Sequence, residues 1–282
     1  MAGASMKDIK LRIRSVESTM QITKAMQLVA SSKLRGARAR MEASRPYMKV
    51  ARKAIWDIAL HNTGAQSDYF IPREIKHRCY IVIAGDRGLA GSYNANIFKR
   101  VEWDSRDAQC CVIPIGRKAR EHYSHRDVDI VTEVEKVEGL TIEGCQVIAQ
   151  DVLDAYDAGR YDEIVLAYTS FVSVLTQKTK LKPLLPLDTR EAPEEERTTR
   201  QMLCEPGADT LIREFLPQYL AGLIYSAACD AFASEQASRR VAMDSATKNA
   251  GEMIEDLSLR YNRARQSSIT QELTEIVAGA EH

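Results

Sequence analysis

The 282-residue sequence predicts an α/β protein in which two long terminal helices with coiled-coil seams flank a small domain of mainly parallel strands. Three observations predict it. Residues 6–45 contain no proline and a single glycine, Gly36, while apolar side chains recur at alternating spacings of four and three. Helical periodicity returns at about residue 208 and persists almost to His282. Between the two, short apolar runs alternate with amphipathic stretches, as βαβ units do.

In the N-terminal segment, positions 9, 13, 16, 20, 23, 27, 30, 34, 37, 41 and 44 read Ile, Ile, Val, Met, Thr, Gln, Ala, Leu, Ala, Met, Ser. Eight of these eleven are apolar, which marks a coiled-coil seam. Pro46 is a point where the helix is expected to kink, and Ala51, Ile55, Ile58 and Ala59 continue it toward Asn62-Thr63-Gly64. Residues 1–62 therefore read as one helix.

The C-terminal segment, 208–282, mirrors it. Met243, Ala246, Ala250, Met253, Leu257 and Ala264 approximate a second seam, and its small residues allow another helix to come close. Pro217 fits if it lies in the first turns. Helices of roughly 55 and 70 residues would each run about 80–105 Å, too long for one compact domain, so part of the pair is expected to project.

The central region, 70–188, supplies the strands. Cys79–Ala84, Cys110–Ile115, Val128–Val131 and Glu163–Thr169 are apolar runs, the last preceded by the amphipathic stretch Gly144–Ala158. Lys178, Lys180 and Lys182 alternate before Pro183 and Pro186, which predicts a lysine-protected edge strand within Val174–Leu187. Residues 189–207, TREAPEEERTTRQMLCEPG, read as a polar linker.

The stretch IVIAGDRGLAGSYNANIF, 81–98, raises the question of phosphate binding, since a strand, a glycine turn and a helix start can present free N–H groups to an anion. The spacing Gly85-x-x-Gly88-x-x-Gly91 matches neither dinucleotide nor P-loop fingerprints. No lysine follows, Asp86 puts a negative charge where the anion would sit, and the second strand ends Ile113-Pro114-Ile115-Gly116-Arg117 without an acidic ribose ligand. The reading adopted is structural: Gly85, Gly88 and Gly91 shape a tight turn in a Rossmann-like sheet, with Ser92 or Asn94 as the helix N-cap and no cofactor.

Composition excludes other classes. No G-x-S-x-G, H-E-x-x-H or supported Cys/His arrangement is present, so no catalytic residue is assigned. His122 and His125 lack ligand-spaced partners, so no metal site is expected. The start, MAGASMKDIKLRIR, shows no secretory pattern, and the longest uncharged stretch, Phe215–Cys229, is too short and polar to span a bilayer. Membrane association is therefore expected only through a partner. Six cysteines form no C-x-x-C pair and read as buried free thiols. Net charge is zero overall, but residues 1–60 carry 13 Lys/Arg against 4 Asp/Glu, and the basic end calls for an acidic partner. A basic coiled-coil nucleic-acid-binding protein is the alternative this charge leaves open; it is disfavoured because the basic residues interleave with a hydrophobic seam and aromatics are sparse there.

Three stretches together carry a resemblance: IRSVESTMQITKAMQLVASSKLRGARARMEASRPY (13–47), AGDRGLAGSYNANIFK (84–99) and SEQASRRVAMDSATKNAGEMIEDLSLRYNRARQSSITQELTEIVAGA (234–280). In order and length the chain resembles the gamma subunit of bacterial F-type, proton-translocating ATP synthases. The resemblance implies that the terminal helices form an antiparallel, left-handed coiled coil standing inside a ring of alternating alpha and beta subunits. The α/β domain, with the epsilon subunit, would grip the membrane c-ring. The chain would then be a non-catalytic rotor shaft coupling proton flow to ATP synthesis or hydrolysis, peripheral on the cytoplasmic face of the bacterial cell membrane.

Residue by residue, the resemblance matches Arg265 and Gln266 to a polar contact with a moving beta-subunit loop. It matches Arg239 to a further arginine of that helix, and Lys24 and Met26 to a segment facing the ring. Ile269, Leu273, Ile276 and Val277 fall at i, i+4, i+7 and i+8, an apolar face at the helix end that calls for a socket on a partner. The chloroplast form carries an inserted cysteine-bearing segment with no counterpart here, so no thiol switch is expected.

Overall fold

The computed structural model describes residues 6–61, 67–126, 128–132, 134, 136–188, 205 and 207–280. Most of the linker expected at 189–207, the helix stop at 62–64 and Cys204 lie outside the described residues.

Helix α1, Met6–His61, opens the chain and helix α5, Ala208–Ala280, closes it. Between them come β1 (His77–Ile83), α2 (Tyr93–Asp104), β2 (Gln109–Ile115), α3 (Arg117–Tyr123), β3 (Asp129–Ile130), α4 (Ile142–Asp157), β4 (Glu163–Phe171) and β5 (Gln177–Leu185). Pro46 lies within α1, and Pro217 lies ten residues into α5 rather than in its first turns. The helix continues there because Leu216, Tyr219 and Leu220 around the proline are buried, and tertiary packing outweighs the lost backbone bond.

The strands form one sheet in the order β3-β2-β1-β4-β5, parallel except for β5, which runs antiparallel to β4 at the edge. Alternation along the strands sends side chains to two cores. Cys79, Ile81, Ile83, Cys111, Ile113, Ile115, Ile164 and Leu166 point to the face covered by α4 and by residues of α1 and α5. Tyr80, Val82, Val112, Val165 and Ala167 point to the face that packs Ile97, Phe98 and Val101 of α2 and Ala119 and Tyr123 of α3. At the N-terminal strand ends, Arg78 pairs with Glu163 and, at 3.2 Å, with Asp104, which also accepts from Tyr80 Oη at 2.7 Å.

The chain divides into two units, residues 32–238 around the sheet and residues up to 31 with those from 239. In the latter, Thr23 and Thr247 hydroxyls meet at 2.8 Å and Gln27 Nε2 donates to Asp244 Oδ1 at 2.9 Å. As α1 advances by four residues its partner retreats by three, so the helices are antiparallel. Every seam position expected in α1 from Ile9 to Ser44 is buried or half-buried.

The seam of α5 needs one correction. Met253 is 53% exposed, and Ile254 takes the inward position. The true phase runs 243, 247, 250, 254, 257, 261, 264, 268; polar Thr247 interrupts it, which favoured apolar Ala246 and Met253 in the sequence.

Candidate functional site

In an open α/β sheet the ligand crevice lies beyond the strand C-termini where the order reverses, here between β1 and β4. The glycine turn follows β1 at that place. Three N–H groups at its two ends are engaged within the chain: Ala84 N with Ile115 O at 3.0 Å, Gly85 N with Asn94 Oδ1 at 2.8 Å, and Tyr93 N with Ala90 O at 3.2 Å. Asp86 accepts from Val137 N at 3.0 Å, Glu138 N at 3.2 Å and Arg117 N at 3.4 Å, so it fastens the 137–138 segment and the start of α3.

The crevice is filled by the chain itself. Tyr93 Oη donates to Ala231 O at 2.9 Å, Ser234 Oγ to Thr169 O at 3.0 Å, Ser238 Oγ to Ala90 O at 2.8 Å, and Ser170 Oγ to Asp230 Oδ2 at 3.1 Å. Ser234, Glu235 and Gln236 are almost wholly buried. A Cβ on Gly85 would lie 2.9 Å from the Glu235 carboxyl carbon, so the glycine admits that side chain. Burial pushes the Asp230 carboxyl above the usual carboxylate range, against the opposing pull of its Ser170 hydrogen bond, Lys180 and Arg45. Thus α5 sits where a nucleotide would.

Of the glycines assigned to the turn, Gly91 has φ +58°, where the lack of a Cβ is favoured, whereas at Gly88 φ is ordinary and an added Cβ would meet nothing within 4 Å. The left-handed residue between them is Leu89, φ 61°. Ser92 stands at the N-cap of α2 without a side-chain cap bond, its Oγ accepting from Asn96 Nδ2 at 3.2 Å, and Asn94 turns back to Gly85. Sequence reasoning missed Tyr93, Ser234 and Glu235, whose partners lie more than sixty residues away. It also missed the structural use of Asp86; its position inside the glycine turn was the available signal.

Other groups carry no chemistry of their own. His122 stacks on Phe98 with ring centroids 3.9 Å apart and contacts Glu102 at 3.1 Å; burial, then Arg126, lowers its pKa. Among the described residues no group of three His, Cys, Asp or Glu is placed to hold a metal, and no helix is long and apolar enough to cross a membrane. A cleft of about 680 Å³ is lined by Arg40, Ser44 and Tyr47 of α1, the 138–143 segment and Tyr225, with mainly apolar walls. Five described cysteines are free thiols. Burial holds the Cys145 thiol up at about 12, far from a reactive thiolate.

The residues matched to the ring contact fall into two groups. Lys24, Arg265 and Gln266 are exposed, Met26 is half-exposed, and Ile269, Leu273 and Ile276 are 48%, 58% and 68% exposed. The antiparallel register sets Met6 opposite about residue 265, so the apolar end of α5 lies past the first described residue of α1. Val277 belongs to α5, but its side chain is outside the description. Arg239, by contrast, is only 7% exposed.

An α/β domain whose ligand crevice is occupied by its own terminal helix, with a second stretch of that helix paired to the other terminus, defines a structural, shaft-like class of protein. The family profile described as ATP synthase matches residues 5–282. The chain is 43% identical over 285 residues to the ATP synthase gamma chain of Alkaliphilus metalliredigens, covering 99% of both, and 40% identical over 289 residues to that of Pasteurella multocida, again covering 99% of both. It is 40% identical over 296 residues to the sodium-ion-specific ATP synthase gamma chain of Acetobacterium woodii, covering 98% of both. Among solved structures, the chain resembles one of the Tetrahymena thermophila mitochondrial ATP synthase central stalk and c-ring at 25% identity and TM-score 0.61, with 80% of this chain and 99% of that one covered. A Euglena gracilis mitochondrial ATP synthase chain shares the fold at TM-score 0.72 and 20% identity, with 98% and 93% covered. The chain belongs to the ATP synthase gamma-chain family, a non-catalytic and peripheral component of that complex. The nucleic-acid reading is thereby set aside.

Proposed function

We propose that this chain is the central rotor shaft of an F-type ATP synthase, turning inside a ring of alpha and beta subunits and seated with epsilon on the membrane c-ring. It couples proton flow to ATP synthesis or hydrolysis from the cytoplasmic face of a bacterial cell membrane. The observation that supports this best is the make-up of α5: residues 230–238 fill the sheet crevice, while Ile269, Leu273 and Ile276 of the same helix remain in water. An apolar face left exposed at a helix end calls for a partner socket.

Residues 1–62 and 208–282 supply the shaft helices, 70–188 the foot and 189–207 the connection. Lys24, Met26, Arg265 and Gln266 make polar or side-on contacts with the ring, and Ile269, Leu273, Ile276 and Val277 seat the end. Exposed ion pairs are worth about 0–1 kcal/mol each, which suits contacts remade at every step. Deleting residues after Arg265 tests the assignment. Proton-driven ATP synthesis and retention of alpha and beta subunits should fall while the sheet unit stays folded by thermal unfolding; unchanged synthesis and assembly would refute it.

A further inference from the structure

We infer that the β4–β5 hairpin tip, Val172–Thr176, is a rigid docking knob for another protein of the assembly, received in an apolar notch rimmed by carboxylates.

The first observation is exposure combined with order. Leu175 is 82% exposed, the most exposed large apolar side chain among the described residues, and Val172 is 56% exposed. A floppy loop would make this unremarked. This tip is tied down: Ser173 N donates to Thr176 O at 2.9 Å, Thr176 N to Ser173 Oγ at 3.1 Å, and Gln177 Nε2 to Ser173 O and Val174 O at 3.1 and 2.9 Å. Val174, between the two exposed residues, packs with Phe171 against the core. Five residues thus hold two aliphatic side chains outward in a fixed geometry, so docking them costs little ordering.

The second observation is charge, and it selects the occupant. Arg38 lies over the Phe171 ring with its guanidinium 5.8 Å from the centroid. Lys178 and Lys180 follow on β5 and are exposed. Glu42 pairs with Arg38 and offsets it, and Asp230 accepts from Ser170, so the two exposed lysines against the one remaining carboxylate supply the excess positive charge. The knob therefore rises from a net-positive surround, complementary to an apolar notch with an acidic border. A lipid surface is disfavoured, because two side chains on a narrow turn bury too little apolar area for membrane attachment.

An apolar knob in a notch is a standing contact, unlike the exposed polar residues at 24 and 265–266. The inference rests on the shaft reading for the existence of an assembly, and the experiment separates the two. In the purified complex, Leu175→p-benzoylphenylalanine is irradiated and the crosslinked subunit identified. A single subunit, crosslinked less in high salt and less with Lys178→Glu and Lys180→Glu, is the expected result. Leu175→Asp with Val172→Asp should weaken that subunit's retention about tenfold. The isolated chain's unfolding midpoint should not move, because both side chains already face water. Crosslinks only to lipid or to nothing, with retention unchanged, overturn the knob while leaving the shaft reading intact. Failure of the wild-type chain to co-purify with the complex overturns the shaft reading itself.

Discussion

Helix α5 passes through two environments, and the contrast shows what each unit asks of it. From Tyr219 to Ala237 no residue is exposed, and near the end of this stretch Ser234 Oγ donates to Thr169 O of β4 while Ala231 O accepts from Tyr93 Oη of α2. From Met243 to Ser268 only Met243 and Ala250 are fully buried, and a half-buried stripe carries the rest of the pairing. One stretch behaves as a core element, held on all sides. The other touches a single partner helix through small side chains and a polar layer of Thr23, Gln27, Asp244 and Thr247, which fixes register more than it adds stability. The same backbone is thus rigidly seated in one unit and lightly paired in the other.

That difference can be broken first at the seat. Gly116, at φ +99°, would place a Cβ 2.3 Å from Ala84 O, so Gly116→Ala should destabilise the sheet unit by more than about 3 kcal/mol, read by urea unfolding. Gly85→Ala, pressing on Glu235, should cost about 1–3 kcal/mol in the same measurement. In the paired helices a double-mutant cycle on Thr23→Val and Thr247→Val should show each single change costing about 1 kcal/mol and the pair less than the sum. Equal, additive costs would mean that the hydroxyl contact does not set register. Gly88→Ala should change stability by less than about 0.5 kcal/mol, since an added Cβ would meet nothing within 4 Å.

The smallest effect is one of pH. Because Asp230 has a raised pKa when folded, the folded chain holds its proton more tightly than the unfolded chain does. Its contribution to stability is fully present below the ordinary carboxylate range and is lost as pH rises through the raised value. Asp230→Asn should therefore raise the unfolding midpoint at pH 7 more than at pH 4; an equal shift at both would remove burial as the cause.

The local features were legible before the structure. The α1 seam showed itself because its period survives three polar residues, and β1, β2 and β4 because each is apolar on both faces under two helical layers. The expected lysine edge strand is β5. The plug in the crevice was not legible: Ser234, Glu235 and Ser238 look like an ordinary polar helix face until the sheet lies against them. Gly85, Gly88 and Gly91 share a spacing but not a purpose, since one makes room for a carboxylate, one turns the chain and one has space where a Cβ would stand. Arg239, which the resemblance matched to an arginine of the same helix, differs from the other ring-matched residues in being only 7% exposed.

The bonds from Tyr93 to Ala231, Ser234 to Thr169 and Ser238 to Ala90 are spaced over about two turns of α5 and tie it to α2, β4 and the glycine turn. They act as a key in a keyway: a twist applied about the helix axis shears all of them together, whereas a seam of methyl groups alone would let the helix roll. Slip of this stretch of α5 against the sheet is thus opposed by hydrogen bonds already in place.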